Sequence, residues 1–328
     1  MINIKHVAQK AGVSPTTASY ALNNRPGVKP ETVAKVLQAA RELNYIPNSL
    51  AQSFRYGKSN TIAVITHESL EDYSIFSLEL MGIISAAREL DYDVLVKALP
   101  PDSDAHGNEM LQIINGKKTD GVILLGNGFE DLIRQFETEP TKIVLLSSHT
   151  EYGISMVNVD GEKWIYNITA YLIQKGYARI SYLTFGLETT EEKNRERGFQ
   201  RALAAYDLSD RGKATVCGYD KEEIYRLIEN WTQTDLPEAI VCWNDVLALQ
   251  VINILKNLGK KVPGDVAVTG FDDIIQDWNY IPLLTTVKQP FNEKGKTAMK
   301  LLADMIDRKI AGPVNREVEC SLAIRESA

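Results

Sequence analysis

The sequence predicts an α/β protein in two parts: a small three-helix headpiece with a hinge, then a two-lobed domain built on doubly wound parallel sheets. Three observations support this fold class. Apolar residues recur at helical spacing through the first 46 residues. From Thr61 onward, short apolar strands alternate with amphipathic helices, as in repeated βα units. The 328 residues, 44% of them hydrophobic, are enough for two or three domains.

The headpiece sequence contains start and stop signals for three short helices. Gly12 is expected to end the first helix, because a C-terminal position with positive φ favours glycine. Ser14 is expected to cap the second helix, with Pro15 at its first position. The third helix is expected to begin at Pro30 and to end near Tyr45.

The remainder of the chain supplies nine strand candidates. In order they are TIAVIT, DVLVKAL, GVILLG, KIVLLS, MVNVD, RISYLTF, ATVCGY, AIVCW and DVAVTGF. The helical runs between them cover 76–90, 162–175, 195–206, 221–231, 245–258 and 293–309. Nine strands exceed one comfortable sheet, which indicates two similar lobes with a cleft between them.

Asp160-Gly161 and Gln289-Pro290 are plausible points for the chain to cross between these lobes. The expected division follows from them. It comprises a headpiece at 1–46, a hinge helix or linker at 47–60, an N-terminal lobe at 61–159 and 290–318, and a C-terminal lobe at 160–289 and 319–328.

The charge is distributed unevenly along the chain. The net charge is -7, but residues 1–58 hold eight Lys and Arg against two Glu, a net +6, which leaves -13 for the rest. No acidic residue occurs in the first 30 positions. This asymmetry indicates an anion-binding module attached to an acidic globular body.

Other bulk features exclude several classes of protein. The three cysteines, Cys217, Cys242 and Cys320, lack metal-ligand spacing and lie in apolar segments, so we expect buried thiols in a reducing cytoplasm. No apolar run resembles a signal peptide or approaches 18 residues, so neither export nor membrane insertion is expected. Glycine-rich phosphate loops, GxSxG elbows and metal-spaced clusters are missing, so we expect no enzyme, no cofactor and no metal.

The run IKHVAQKAGVSPTTASYALN meets the demands of a helix-turn-helix. Ala8 is small where the second helix crosses, Gly12 makes the turn, and Val13 and Ala18 fill the wedge between the helices. The exposed face of the second helix is then expected to carry Pro15, Thr16, Thr17, Ser19, Tyr20 and Asn23. Such short polar and aromatic groups can meet base edges and phosphates in a major groove. A generic three-helix bundle would leave that face rich in Glu and Lys.

The sequence resembles the lactose/galactose repressor (LacI/GalR) family of bacterial transcription regulators. The specific blocks are IKHVAQKAGVSPTTASYALN, VKPETVAKVLQAARELNYIPN and SLAQSFRYGKS, in that order. The likeness continues through TDGVILLG, RERGFQRAL, CWNDVLAL, VPGDVAVTGFDD and the terminal LAIRES. It therefore covers essentially the whole chain and implies a repressor with a periplasmic-binding-protein-like sensor domain.

The resemblance assigns roles in DNA binding. Base reading falls on Pro15, Thr16 and Tyr20, and phosphate contacts fall on Thr17, Ser19 and Asn23. Residues 48–56 correspond to the family's hinge helix, with DNA contacts expected from Asn48, Ala51, Gln52 and Phe54. Phe54 stands where the family usually has a leucine that wedges into the minor groove. Phenylalanine can act as such a wedge, or it can pack on the body of the protein instead.

The resemblance also assigns an effector site in the cleft. Asp160, Arg195, Asn244 and Asp272 match positions that face the effector in the family. Phe76 matches an aromatic at the start of the first helix of the lobe that follows the headpiece, and it is a further effector candidate. Tyr219 and Trp243 are further aromatic candidates. This set can grip vicinal hydroxyls, so the expected effector is a mono- or disaccharide, with a phosphorylated form left open. A purine or nucleoside is the alternative, and the acidic loop 187–194 opposes a strongly anionic ligand.

The expected partners follow from this interpretation. They are an inverted-repeat DNA operator, a small-molecule effector and a second copy of the chain. A dimer is expected because a palindromic operator suits two-fold symmetry and no leucine-heptad tail is present to link dimers into tetramers. A periplasmic sugar-binding protein would share the two-lobed architecture, but the basic headpiece disfavours that alternative.

Overall fold

The computed structural model describes residues 2–23, 25–45, 58–67, 73–99, 113, 118–129, 132–134, 142–274 and 282–328. The chain divides into two compact units. The headpiece unit comprises residues 1–60 with 117–120, and the effector unit comprises 61–116 with 121–328. None of the helices within the described ranges is both long and apolar enough to cross a membrane.

Three helices form the described part of the headpiece unit: α1 (Ile4–Ala11), α2 (Pro15–Leu22) and α3 (Pro30–Glu42). Gly12 ends α1 with φ +69°, and the Ser14 side chain caps α2 by accepting the N–H of Thr17 at 3.0 Å. Both predicted boundaries are therefore confirmed. The core is made of small and β-branched side chains, Val7, Ala8, Ala18, Ala21, Val36, Ala39 and Ala40. Their small size lets the short helices cross closely.

Two six-stranded sheets form the frame of the effector unit. The strands of the first sheet are β1 (Thr61–His67), β2 (Asp93–Leu99), β3 (Gly121–Leu125), β4 (Ile143–Leu146), β5 (Ser155–Asn158) and β11 (Asn315–Glu317). Their order across the sheet is β11-β5-β4-β3-β1-β2, and every pairing is parallel. β3 and β4 are buried along their whole length, as expected of strands covered on both faces.

The second sheet repeats this arrangement. Its strands are β6 (Ile180–Thr184), β7 (Gly212–Val216), β8 (Ala239–Cys242), β9 (Ala267–Asp272), β10 (Thr285–Lys288) and β12 (Ser321–Ala323). Their order is β12-β10-β9-β8-β6-β7, and only β12 runs antiparallel to its neighbour. The doubly wound α/β architecture predicted from the sequence is confirmed.

The helices of the effector unit cover these sheets. Those whose bounds lie within the described residues are α4 (Tyr73–Glu89), α5 (Gly161–Gln174), α6 (Thr190–Ala205), α7 (Lys221–Gln233), α8 (Asp245–Asn257) and α9 (Phe291–Ile306). α4 and α9 approach closely because both carry glycine at their crossing. A Cβ at Gly295 would lie 2.1 Å from the carbonyl oxygen of Glu79, and one at Gly82 would lie 2.0 Å from that of Asn292.

The structure differs from the sequence expectation at several strands. β7 covers 212–216, whereas the expected segment was ATVCGY at 214–219. The described chain also contains β10, β11 and β12, which the apolar pattern did not indicate. β11 and β12 are three-residue edge strands with mostly polar or exposed residues, so hydrophobic patterning cannot detect them. The three cysteines are free and buried, as expected.

Candidate functional site

The second helix of the headpiece, α2, exposes its N-terminal turn. Pro15 and Thr16 are exposed, and Tyr20 is half-buried. The Arg25 guanidinium lies 5.5 Å from the centre of the Tyr20 ring, within the range of a cation–π contact. A cation is thus held next to an aromatic side chain at the C-terminal end of α2. Lys5 adds exposed positive charge on α1, whereas Lys10 pairs with Glu42 at 2.7 Å. The Arg25 and Lys5 cations allow this unit to meet a polyanion.

A cavity of about 420 Å³ opens at the carboxyl ends of both sheets in the effector unit. Strand ends and the turns after them supply one set of lining residues: Leu125, Gly126, Asn127, Ser147, Asn158 and Val159 from the first sheet, and Trp243, Asn244, Asp272 and Gln289 from the second. Helices supply the others: Ile75, Phe76, Glu79, Glu191, Arg195, Phe291 and Lys294. The size and the mixed lining suit a small polar ligand.

Arg195 of α6 is held rigidly at one end of the cavity. Its guanidinium carbon lies 4.0 Å from the ring centre of Trp243 and 3.8 Å from that of Phe271. Its Nε donates to Glu191 at 2.9 Å, and its Nη1 donates to the Trp243 carbonyl at 2.6 Å. Burial acts to raise the pKa of Glu191, but Arg195 and His149 outweigh it and hold that pKa at about 2. At this end of the cavity, the Arg195–Glu191 ion pair is therefore fixed by the two rings that flank the guanidinium.

A second ion pair lies between α4 and α9. Lys294 Nζ is 2.9 Å from Glu79 Oε1, and the two side chains are only 2% and 1% exposed. The hydroxyl of Ser147 also donates to Glu79. Lys294 donates further to Gln289 Oε1 at 3.0 Å. The pair is thus buried, hydrogen-bonded and exposed only to the cavity.

Asp272 connects this network to the second sheet. Gln289 Nε2 donates to Asp272 Oδ1 at 2.7 Å, so hydrogen bonds run from Glu79 through Lys294 and Gln289 to Asp272. Asp272 has φ 125°, a conformation that non-glycine residues rarely adopt and that is often found at ligand sites. Asp245 is close to Asp272, and its burial together with the charge of Asp272 raises the pKa of Asp245 to about 8.

Comparison with known proteins identifies the family of the chain. Residues 3–48 match the model of bacterial regulatory proteins, lacI family, and residues 169–328 match a periplasmic binding protein-like domain. Catabolite control protein A of Priestia megaterium is 32% identical over 321 residues, which cover 94% of this chain and 93% of that protein. The chain belongs to the lacI family of bacterial regulatory proteins.

Other members of the family show the same extent of likeness. The HTH-type transcriptional repressor PurR of Aliivibrio salmonicida is 30% identical over 318 residues, covering 94% of this chain and 93% of that protein. A crystal structure of the Lac repressor dimer bound to operator and the anti-inducer ONPF superposes with a TM-score of 0.84. That structure is 24% identical and covers 99% of this chain and 98% of its own, so it shows the shared fold. The chain is thus a DNA-binding transcription repressor with an effector domain.

Five of the predicted effector residues come together at the cavity. Phe76, Arg195, Trp243, Asn244 and Asp272 all line it, and their contact with a ligand stays a prediction. Asn244 also caps α8 through Oδ1, which accepts the N–H of Leu247 at 2.9 Å. Its amide Nδ2 is therefore the group that it can offer to a ligand.

Two predicted effector residues lie outside the lining. Asp160 caps α5 through Oδ1, which accepts the N–H of Lys163 at 2.9 Å, and the residue is not among those that line the cavity. Tyr219 is 67% exposed and stacks on Phe185, with ring centres 4.6 Å apart. It follows β7, the edge strand of the second sheet, and is not among the residues that line the cavity. Contact of these two residues with a ligand stays a prediction.

The headpiece predictions also need one correction. Ser19 is 8% exposed, so its expected place on the exposed face of α2 is wrong. It neighbours Ala18 on the side of the helix that packs into the core. Thr17 and Asn23 are half-buried, and the Asn23 amide donates to the Ser19 carbonyl at 2.7 Å. The hinge predictions at Asn48, Ala51, Gln52 and Phe54 lie outside the described residues.

Sequence reasoning missed several lining residues. Asn127, Ser147 and Asn158 lie at the carboxyl ends of strands in the first sheet, and the strand-end rule applied to the second sheet would have found them. Glu79 and Lys294 lie on helices, far apart in sequence. Only the packing of α4 against α9 brings these two together, so the sequence carries no signal for the pair.

Proposed function

We propose that this chain is a homodimeric repressor that binds an inverted-repeat operator and whose affinity for it is controlled by a carbohydrate. The lining of the cavity is the observation that supports this proposal. It gathers amide, hydroxyl and carboxylate side chains from the carboxyl ends of both sheets, in the same chain as a helix-turn-helix headpiece.

The headpiece geometry supports particular contacts with DNA. Pro15, Thr16 and Tyr20 are proposed to meet base edges, since they occupy the exposed turn and the accessible flank of α2. Pro15 can offer only apolar contact, for instance to a thymine methyl group. Thr17 and Asn23 are proposed to lie at phosphates, with Arg25 supplying charge next to Tyr20.

The cavity chemistry favours a sugar over a purine. Hydrogen-bonding side chains surround the space, with Asn127 and Asn158 on one side and Asn244 and Asp272 on the other. A ring that carries hydroxyls around its rim can use all of them. A planar base needs apolar surface on both of its faces, whereas Arg195 already lies against one face of Trp243.

A ligand that contacts both sheets would couple the cavity to DNA binding. We assign β1–β5, α9 and β11 to an N-terminal lobe (61–159 and 290–318) and the other sheet to a C-terminal lobe (160–289 and 319–328). A bound sugar bridges the lobes and changes their relative arrangement, and operator affinity follows. Reciprocity requires that operator DNA change sugar affinity by the same factor.

Exposed apolar side chains support a homodimer. Leu78 and Met81 on α4 are 43% and 59% exposed, and Leu95 and Val96 on the edge strand β2 are 41% and 44% exposed. Neighbouring apolar positions of this kind are typical of protein interfaces. A C2 dimer would place two headpieces on the two halves of a palindromic operator.

Selection from random duplex DNA with the full-length protein tests the DNA-binding half of the proposal. The expected product is an inverted repeat, bound in a band shift that weakens steeply as salt increases. Thr16→Ala should relax the preference at one base pair in each half-site. The result that would overturn this half is an affinity for the selected sequence equal to that for random duplex.

A ligand screen tests the sensing half. Neutral sugars, sugar phosphates and nucleobases are assayed for thermal stabilisation of the protein, since a ligand at 100 times its Kd stabilises by about 2.7 kcal/mol. The same compounds are then assayed for a change in operator affinity. Asp272→Ala and Arg195→Ala should abolish the response and keep operator binding. A response only to nucleobases would replace the carbohydrate assignment.

A further inference from the structure

The charged residues that line the cavity already neutralise one another in pairs. Three carboxylates, Glu79, Glu191 and Asp272, face two cations, Arg195 and Lys294, a net charge of -1. Lys294 pairs with Glu79 at 2.9 Å, and Arg195 pairs with Glu191 at 2.9 Å. Neither cation is therefore presented to a ligand as an unpaired positive charge.

The Lys294 ammonium is engaged on several sides. It bonds Glu79 and Gln289, and it lies 5.1 Å from the ring centre of Phe291. An anionic group that bonded Lys294 would draw it away from Glu79. The Glu79 carboxylate, 1% exposed, would then be left with the Ser147 hydroxyl as its donor. Breaking a buried ion pair in this way is strongly unfavourable.

Arg195 is equally committed at the other end of the cavity. Its guanidinium is sandwiched between Trp243 and Phe271 and donates to Glu191 and to the Trp243 carbonyl. The imidazole Nδ1 of His149 also lies 3.1 Å from Glu191. A phosphate that approached Arg195 would meet this carboxylate at close range.

We propose that the effector is an electrically neutral polyhydroxylated molecule and that the buried Glu79–Lys294 ion pair, with Arg195–Glu191 opposite, excludes phosphorylated and carboxylated sugars. This inference rests on the carbohydrate-sensing function proposed above and narrows it. Hydroxyl groups can donate to Asp272 and accept from Asn244 without disturbing either pair. Charged derivatives must break one of them, which should weaken their binding on the order of 100-fold relative to the neutral parent.

The test uses the full-length protein and matched sets of probes. Each set contains a neutral sugar, its 6-phosphate and its uronate, for glucose, galactose and mannose. Maltose and cellobiose with their 6-phosphates extend the panel, and inorganic phosphate is the simplest anion. Binding is measured by thermal stabilisation and by isothermal titration calorimetry. Operator affinity is recorded with each probe, which also shows that every variant is folded.

Glu79→Gln is the informative variant. It keeps the side-chain shape but leaves Lys294 without its carboxylate, so affinity for the phosphorylated sugar or for inorganic phosphate should rise about tenfold or more. Glu89→Gln removes the same charge at the exposed end of the same helix and is the matched control. Glu191→Gln frees Arg195 in the same way and provides a second variant should Glu79→Gln not fold.

The possible outcomes separate the inference from the proposed function. Two results together support the inference. The wild type binds a neutral sugar at least about tenfold more tightly than its charged counterparts, and Glu79→Gln gains affinity for those charged counterparts. A phosphate or uronate that binds the wild type as tightly as its neutral parent overturns it and leaves the sensing function standing. Failure of every sugar, charged or neutral, to bind or to change operator affinity overturns the proposed carbohydrate function itself.

Discussion

The Glu79–Lys294 ion pair should respond to mutation as a buried, coupled unit. Lys294→Met keeps the length of the side chain and removes its charge, which leaves the Glu79 carboxylate buried between α4 and α9 with the Ser147 hydroxyl as donor. The double variant Glu79→Gln/Lys294→Met removes both charges. We expect the single variant to be much less stable than the double one.

The size of the effect follows from the geometry. At the observed 2.9 Å and an effective dielectric constant of about 20, the attraction between the charges is about 6 kcal/mol. Desolvation offsets much of it in the intact pair, but a single truncation strands one charge at a cost of about 3–5 kcal/mol. Neutralising both partners should cost about 1 kcal/mol or less, because no buried charge remains.

Urea unfolding followed by tryptophan fluorescence measures this difference, since all four tryptophans lie in the effector part of the chain. Lys309→Met, which breaks an exposed pair with Asp304, is the control and should leave the free energy of unfolding almost unchanged. The reasoning is refuted if the single variant loses less than about 1 kcal/mol, or if the double variant is as unstable as the single one.

Three other perturbations probe the remaining features. Tyr20→Ala should cost about 1–3 kcal/mol of operator affinity at one base position in a competition assay, and an equal loss on all sequences would instead indicate a phosphate contact. Burial and Asp272 raise the pKa of Asp245 to about 8, well above its value in the unfolded chain. Ionisation therefore favours unfolding, and stability should fall as pH rises from about 4 to 8. Asp245→Asn should flatten that slope in thermal melts, and an unchanged slope would contradict the assignment. Met81→Glu should shift the protein from dimer to monomer in sedimentation velocity, with weakened operator binding, and a stable dimer would place the interface elsewhere.

Much of the architecture is readable from local sequence patterns. The caps at Ser14 and Gly12 and the nine strand segments are encoded by neighbouring residues, since turn chemistry and apolar runs act over a few positions. Arg195, Asn244 and Asp272 could be predicted as cavity residues from the resemblance and from their strand-end or helix-start positions. Their actual partners could not, because a hydrogen bond depends on which segment packs opposite.

The placements that the sequence did not reveal have the same physical cause. Asp160 and Asn158 both lie at the end of β5, and only the direction of the chain there decides that Asn158 faces the cavity while Asp160 caps α5. Tyr219 is an aromatic candidate for the effector site in the sequence, but the sheet order places its strand at the edge of the second sheet. Ser19 is polar, yet its angular position on α2 lies next to Ala18 in the core.

The sequence by itself determined the division into a basic headpiece and an acidic α/β body, because charge and periodicity are local properties of the chain. Only the tertiary structure decided what the cavity can accept. Glu79 and Lys294 are more than 200 positions apart, and they meet because Gly82 and Gly295 let α4 and α9 approach closely. The resulting neutral pair makes the cavity suited to an uncharged ligand.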